Sequence, residues 1–578
     1  MTESTGAQYP RDGLSHVHGA SDEPLLNVSV GNLLMQAAER YGQRDAAVFA
    51  GHDVRWSYTE LLSQVDSVAQ GLYAIGVVAG DRVGIWCPNR PEWLLAQFAT
   101  ARLGAILVAI NPAYRLSELE FALNKVNCKA VITAERFKSS DYIHMLQELA
   151  PELSTSKPGE LHSRRIPSLR SIIKTGSHQV PGMYRFEDMV AAGVALGADS
   201  PADTGFGPLA DGATSVDDVI NIQFTSGTTG FPKGAALSHR NIVNNAYFVM
   251  RAMDFSEADR LCIPVPFYHC FGMVMGTLGC VTQGATMVIP GEGFDPLATL
   301  QTVEAERCSA LYAVPTMFTA MLDHPEFQSF DLASLRTGIM AGAPCPIEIM
   351  RKVQSLMHMK HITIAYGMTE TSPVSFQSSI HDSLSKRVSS VGRVHPHVEV
   401  KLVDADGHTV PVGQQGELLT RGYSVMREYW GDEQHTKESI DEDGWMHTGD
   451  LAVLDEAGYC NITGRLKDMI VRGGENIYPR EVEEFLYRLP AVSQVQVFGI
   501  PDRELGESVC AWIVLRDGFE LTESEVIDFC REQIAHYKVP ARVCMVESMP
   551  MTVTGKAQKF RMREEMICQL GIEEIDTA

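Results

Sequence analysis

The chain has 578 residues, 45% hydrophobic and 21% charged, a globular composition that excludes a mini-protein and a wholly disordered chain. Lys and Arg total 48 against 72 Asp and Glu, a formal charge of −24; such a surface repels phosphate backbones and anionic lipid heads, which excludes a general nucleic-acid or membrane-surface binder but leaves room for a local basic pocket. The twelve cysteines are scattered, with no CxxC pair and no His/Cys cluster at zinc-ligand spacing, so neither a metal knuckle nor a disulfide framework is indicated and a reducing, cytosol-like compartment fits.

In chain order, residues 1–29 carry Asp12, Asp22 and Glu23, fit neither a secretory signal nor an Arg-rich transit peptide, and read as a flexible tail. Ser57 and Glu60 stand at capping-box spacing ahead of Leu61, Leu62, Val65, Ala69 and Leu72, one buried helix face. A strand is expected at 83–86, a helix opening at Pro91, a strand at 105–110, a helix capped by Ser117 with Glu120, and a strand at 130–133. The apolar stretch 93–110 is broken by Gln97 and Arg102 and ends at Asn111 and Pro112, so it reads as buried helix plus strand and not as a membrane span. Residues 154–216, rich in Gly, Pro and Ser, read as surface connection with one strand at 169–173. Asp295 and Pro296 start a helix, and 309–314 is a strand. Beyond Gly464, residues 495–500 and 509–515 alternate apolar and polar, as in a small sheet with one wet face, and Thr522 with Glu525 caps a helix. The expected fold class is α/β: a large N-terminal body over 30–466, its sheets flanked by helices, and a smaller α+β domain over 467–578.

The strongest local motif is Thr225-Ser226-Gly227-Thr228-Thr229-Gly230-Phe231-Pro232-Lys233-Gly234, directly after the apolar run 219–224. Its glycines free the backbone, its hydroxyls and N–H groups suit an anion, and Lys233 adds a point charge, which makes a phosphate cradle in chemical terms. It is not a Walker A loop, because Gly234 follows the lysine where that motif requires Ser or Thr. A Gly/Thr-rich hairpin turn is the plainer alternative. Tyr366-Gly367-Met368-Thr369-Glu370 brings together a ring, a hydroxyl and a carboxylate, and His447-Thr448-Gly449-Asp450 ends in an acid able to hold two vicinal hydroxyls. Gly464-Arg465-Leu466-Lys467-Asp468, Arg472-Gly473-Gly474-Glu475-Asn476 and Thr554-Gly555-Lys556 follow. Each alone reads equally as a turn, a solvated face or a loop tip.

In this order, and with Pro266-Phe267-Tyr268-His269-Cys270-Phe271-Gly272, Ala341-Gly342-Ala343-Pro344 and Gly416-Glu417-Leu418 between them, the motifs resemble those of the adenylate-forming acyl-CoA synthetases. That family also includes luciferases and peptide-synthetase adenylation domains, and the resemblance spans about residues 30–565. Through 472–479 and Ser372-Pro373-Val374 the chain looks most like the medium-chain ligases of the acyl-CoA synthetase family member 2 type. The resemblance implies an enzyme, an AMP-forming acid–thiol ligase: a carboxylate attacks the α-phosphate of ATP to give acyl-AMP and pyrophosphate, and the thiol of CoA then displaces AMP.

By the same resemblance Thr225, Ser226, Gly227, Thr228, Thr229, Gly230 and Lys233 would hold the leaving phosphates, Thr369 would touch the α-phosphate, and Glu370 would ligate Mg²⁺. Tyr366 and Gly367 with Gly342, Ala343 and Pro344 would hold adenine, and Asp450 and Arg465 the ribose. Lys556 would bridge the attacking carboxylate and the α-phosphate, offsetting their repulsion. The small domain would swing about the hinge Lys467, withdrawing Lys556 and presenting Arg472, Gly473 and Gly474 to the pantetheine arm. His269 is either a gate to the acyl pocket or a satisfied core histidine, and Gly272, Gly276 and Gly279 either leave room for an acyl chain or serve close helix packing. The implied partners are a small-molecule carboxylic acid, ATP and CoA, with no nucleic acid and no membrane span, in a cytoplasmic monomer or homodimer. Adenylation of an aryl or branched acid, transfer to a carrier protein, luciferase-like oxidation and a silent nucleotide-binding sensor are the rival readings.

Overall fold

The computed structural model describes residues 9–198, 215–225, 232–343, 345–472, 475–502, 505–531, 533–552 and 556–571. Two large sheets form the body. In one, the strands His361–Gly367, Thr337–Ala341, Ala310–Ala313, Arg260–Cys262, Thr286–Ile289 and Asp45–Phe49 run parallel, with antiparallel strands at both edges. In the other, Ser171–Lys174, Ala130–Thr133, Arg82–Trp86, Ile106–Ala109 and Val219–Thr225 are parallel, and Lys233–Ser238 folds back antiparallel. Their inner strands read as unbroken apolar runs because helices cover both faces. The helix Pro91–Leu103, led by proline at its first turn, is buried almost all round. His239–Arg251 is clamped to the first sheet by Asn245, whose side chain donates to the Val374 carbonyl and accepts from the Val374 N–H.

The Ser57–Glu60 capping box forms and starts the helix Tyr58–Ala74. The expected box at Ser117 and Glu120 does not: the helix is Leu116–Lys125, the Glu118 carboxylate accepts from the Arg115 N–H at 2.9 Å, and Ser117 lies inside the first turn. The stretch 154–216 is more than surface connection. Besides the strand Ser171–Lys174 it carries the helix Phe186–Ala198, which lies so close on Tyr58–Ala74 that a Cβ at Gly193 would stand 2.2 Å from the Gly71 nitrogen. Its Ala- and Gly-rich sequence, whose periodicity is weak, hides a helix that packs backbone against backbone.

A third, antiparallel sheet runs His16–His18, Val398–Val403, Gly416–Gly422, Met446–Leu454, Cys460–Arg465. Its first strand corrects the expectation of a flexible tail over 1–29. His16–His18 pairs with Val398–Val403, burying Val17, and Leu26 exchanges hydrogen bonds with the Asn244 side chain. Three residues are too few to display a period, and their partner strand lies some 380 positions away.

From Ile470 onward a separate apolar core gathers around Val492–Asp502, Gly506–Leu515 and the parallel strand Arg542–Met545. The expected wet face is corrected here. Val495, Val497, Val509, Ala511 and Ile513 pack on one side with Leu486 and Val526, while Phe498, Ile500, Cys510 and Trp512 on the other meet Met549, Met562 and Met566. The helix Lys559–Leu570 covers that second face. Among the described residues no helix is long and apolar enough to cross a membrane.

The helix-on-helix contact at Gly193 yields a stability prediction. Gly193→Ala should cost about 1–3 kcal/mol through overpacking against fixed backbone, read as a lower denaturation midpoint; an unchanged midpoint would detach this helix from the core.

Candidate active site

The carboxyl ends of the parallel strands converge on one crevice, where open α/β sheets bind their ligands. Thr225 ends its strand and Lys233 begins the next, and the two are register partners of an antiparallel pair. Ser226, Gly227, Thr228, Thr229 and Gly230 lie outside the described residues, as do Pro344, Gly473 and Gly474. Gly342 follows the strand Thr337–Ala341 with φ +87°, a conformation glycine adopts without strain, and Ala343 comes next.

The strand His361–Gly367 delivers Tyr366 and Gly367, and the turn Thr369–Thr371 follows. A Cβ on Gly367 would stand 1.7 Å from the Pro373 carbonyl oxygen, so the tight reversal that buries Thr369 and Glu370 depends on this glycine. The Glu370 carboxylate accepts from Thr225 Oγ1 at 3.2 Å and from the Tyr429 hydroxyl at 2.8 Å. Tyr429 also lies under the Lys233 ammonium, 5.1 Å from ring centroid to Nζ. It was not foreseen: it sits in the two-residue strand Glu428–Tyr429 against Lys233–Ser238, and nothing local marks that pairing.

On the opposite wall Asp450 and Arg465 are cross-strand partners. Asp450 is buried; its Oδ1 lies 3.0 Å from Arg465 Nε, and its Oδ2 accepts from the Tyr366 hydroxyl at 2.5 Å. Burial and the adjacent Asp450 carboxylate push the Tyr366 hydroxyl well above its ordinary pKa, so it remains a donor. Burial pulls the Arg465 guanidinium down, but Asp450 and Asp468 outweigh it and hold the charge.

Lys556 comes from the small domain, its N–H donating to Thr552 Oγ1 and its carbonyl accepting from the Thr552 N–H. Burial and the Arg465 charge lower its pKa, while Glu370, Asp450 and the Cys270 thiol raise it. The ammonium is thus within electrostatic reach of both walls of the crevice. It is also felt by His269, whose pKa is lowered to about 3 by burial and by Lys556. His269 Nδ1 accepts from the Phe271 N–H at 3.3 Å, which makes it a neutral imidazole with its proton on Nε2. Beside it a cleft of about 270 Å³ opens, bounded by Asn89, Pro266, Tyr268, Glu292 and Met317 of the body and Thr552 of the small domain.

Arg472, expected at the site only once the small domain has swung, has its Nη1 donating to the Tyr537 carbonyl at 2.8 Å within the small domain. The three glycines after His269 leave no room for an acyl chain: a Cβ on Gly272 would stand 2.3 Å from the Pro266 oxygen, one on Gly279 2.4 Å from Met250 Cε, and one on Gly276 3.2 Å from Ile263 Cδ1. They serve close packing of the π-helical turn Phe271–Leu278. Lys467 lies in the turn Leu466–Asp468 that links the third sheet to the small domain, and burial with the neighbouring Arg465 lowers its pKa.

Comparison with known proteins follows the same division. Residues 34–430 match the family described as AMP-binding enzyme, and 481–556 match the AMP-binding enzyme C-terminal domain. The mitochondrial medium-chain acyl-CoA ligase ACSF2 of Danio rerio is 47% identical over 96% of this chain and 91% of its own length. The YngI protein of Bacillus subtilis (strain 168), provisionally named an acyl-CoA synthetase, is 47% identical over 94% of this chain and 98% of its own. Among solved structures, the anthranilate CoA ligase AuaEII in complex with anthranoyl-AMP superposes with a TM-score of 0.84 at 25% identity, covering 96% of this chain and 99% of that one.

The His269 environment makes a pH prediction. In histidine-labelled protein its ring should show no titration between about pH 5 and 8, where an unperturbed imidazole titrates near 6.5. Because the folded pKa lies below the unfolded one, the unfolded chain binds more protons, and the His269 contribution to stability is lost as pH falls from about 6.5 to about 3. A midpoint for this ring near 6.5 would contradict its enclosure.

Proposed function

The chain belongs to the AMP-binding enzyme family and is an ATP-dependent acyl-CoA ligase of the AMP-forming, acid–thiol type; on that premise we propose that its acid is a medium-chain fatty acid and that Lys556 serves only the first of two half-reactions. The observation that supports this reading is a half-buried ammonium, Lys556, of the small domain that feels the charges of Glu370, Asp450 and Arg465 of the large body. An attacking carboxylate and an α-phosphate are both anions, and a positive charge held between them in a dry crevice lowers the cost of their approach.

In this proposal Thr225, Lys233 and the loop between them hold the leaving phosphates, Thr369 meets the α-phosphate, Tyr366 with Gly342 and Ala343 lines the adenine, and Asp450 with Arg465 binds the ribose. Mg²⁺ would be held by Glu370. Its donor set fits: the carboxylate is buried, met by two hydroxyls, and forms no direct ion pair among the described residues, a setting in which an oxygen-seeking divalent ion offsets the cost of a buried charge. When bound, the ion supplies neutralisation of triphosphate charge. The domain boundary is proposed at the hinge Lys467. Turning the small domain there would carry Lys556 out of the crevice and bring Arg472 with Gly473 and Gly474 in, opening a way for the CoA thiol to the acyl carbonyl. Twelve free thiols favour a reducing, cytoplasmic compartment.

Carboxylate-dependent ATP–pyrophosphate exchange over fatty acids of increasing length, with mass analysis after CoA is added, tests the reading. Rates should change smoothly with length, by about fourfold per methylene where the pocket buries it. Exchange only with aryl acids would favour an aryl ligase, and exchange without thioester a carrier-protein enzyme. Lys556→Ala should lower exchange about a hundredfold or more yet leave thioester formation from supplied acyl-AMP near the wild-type rate. Equal loss of both steps would remove the division of labour.

A further inference from the structure

The strand His16–His18 lies antiparallel on the edge strand Val398–Val403, with His18 opposite Glu399. Strand alternation turns Val17 into the core and leaves both histidines on the outer face beside Glu399. There the two imidazoles converge on one atom: His16 Nε2 is 2.7 Å and His18 Nε2 3.0 Å from the same Glu399 Oε1. The other oxygen, Oε2, is held by Arg421 through Nε at 2.8 Å and Nη2 at 2.5 Å, which aims Oε1 at the histidines.

We propose that His16, His18 and Glu399 form a binding site for a divalent transition-metal ion of the zinc class, independent of the ligase chemistry. Two imidazole nitrogens and one carboxylate oxygen suit such an ion and not Mg²⁺ or Ca²⁺, which take oxygen ligands. A tetrahedral ion with bonds of about 2.0–2.1 Å spaces its ligand atoms about 3.3 Å apart. From 2.7 and 3.0 Å each imidazole nitrogen needs to draw back from the carboxylate oxygen by only a few tenths of an ångström, and the ligand atoms all lie within 4.8 Å of one another. The side chains of His16, His18 and Glu399 are 38%, 48% and 14% exposed, so an ion has an entry path and a water can complete the coordination.

The Arg421 and Lys401 charges, both stacked on Trp445, tell against the ion and weaken its binding. Bound there, the ion pins the amino-terminal strand to the sheet that carries Asp450 and Arg465.

Among the described residues one other grouping of this kind occurs, Asp404, Asp406 and His408, fully exposed on a turn, and it provides the control. Calorimetric titration of the full chain, carrying no polyhistidine, with zinc chloride should show one ion per chain. H16N and H18N, which keep an amide donor for Glu399, should each weaken binding about tenfold or more, and the double variant should abolish both binding and the zinc-induced rise in thermal midpoint. H408N should change neither. Absence of saturable binding, or binding that survives the double substitution, would overturn the site and leave the three residues a hydrogen-bonded clasp.

Discussion

One half-buried ammonium group, Lys556, carries the charge of the small domain toward the large body, and among the described residues the apolar cores of the two bodies are separate. Removing a lysine from water is costly, and two carboxylates of the large body, Glu370 and Asp450, offset that cost while Arg465 adds to it. The docking of the small domain is correspondingly polar. Its Arg516–Asp323 pair, in which Nη1 alone donates to both carboxylate oxygens, is partly exposed and worth little by itself. A domain held mainly by charge in a narrow gap can leave when that charge is repaid elsewhere, whereas one held by a shared hydrophobic core could not.

The large body supplies rigidity to match. Tyr366, Glu370 and Thr225 stand at strand ends whose partners are fixed by register, and Asp450 with Arg465 is fixed across an antiparallel ladder. Tyr429 and Tyr366 then tie strand to strand through buried hydroxyl–carboxylate bonds. Away from bulk water such bonds are stronger and costly to leave unmade, so the same contacts that hold the walls also orient the charges facing the crevice.

The motifs legible in the sequence were contiguous ones. The hydroxyl- and glycine-rich loop declares its chemistry locally, whereas the Tyr366–Glu370 turn, the acid at 450, the arginine at 465 and the lysine at 556 are short runs whose order along the chain, by resemblance to the adenylate-forming acyl-CoA synthetases, implies their roles. Tyr429 did not, because its role comes from an edge-strand pairing with Lys233–Ser238. Nor did the His16–His18–Glu399 cluster, whose carboxylate lies 383 positions from His16 and so escapes any rule of ligand spacing. The helix Phe186–Ala198 was missed because small residues packed on a neighbouring backbone carry little apolar periodicity.

Local composition and periodicity, then, determined the class of fold and the run of strands and helices through the body, since these depend on interactions within one turn of chain, while the order of the motifs, through the family resemblance, implied the identity of most groups that face the crevice. Tertiary structure alone decided which walls those groups share, that the glycines after His269 are filled by packing, that both faces of the small sheet are covered, and that the amino-terminal strand joins the third sheet. Those outcomes depend on contacts between residues far apart in the chain, and the free energy of such contacts comes from burial and charge pairing that exist only once the chain has closed on itself.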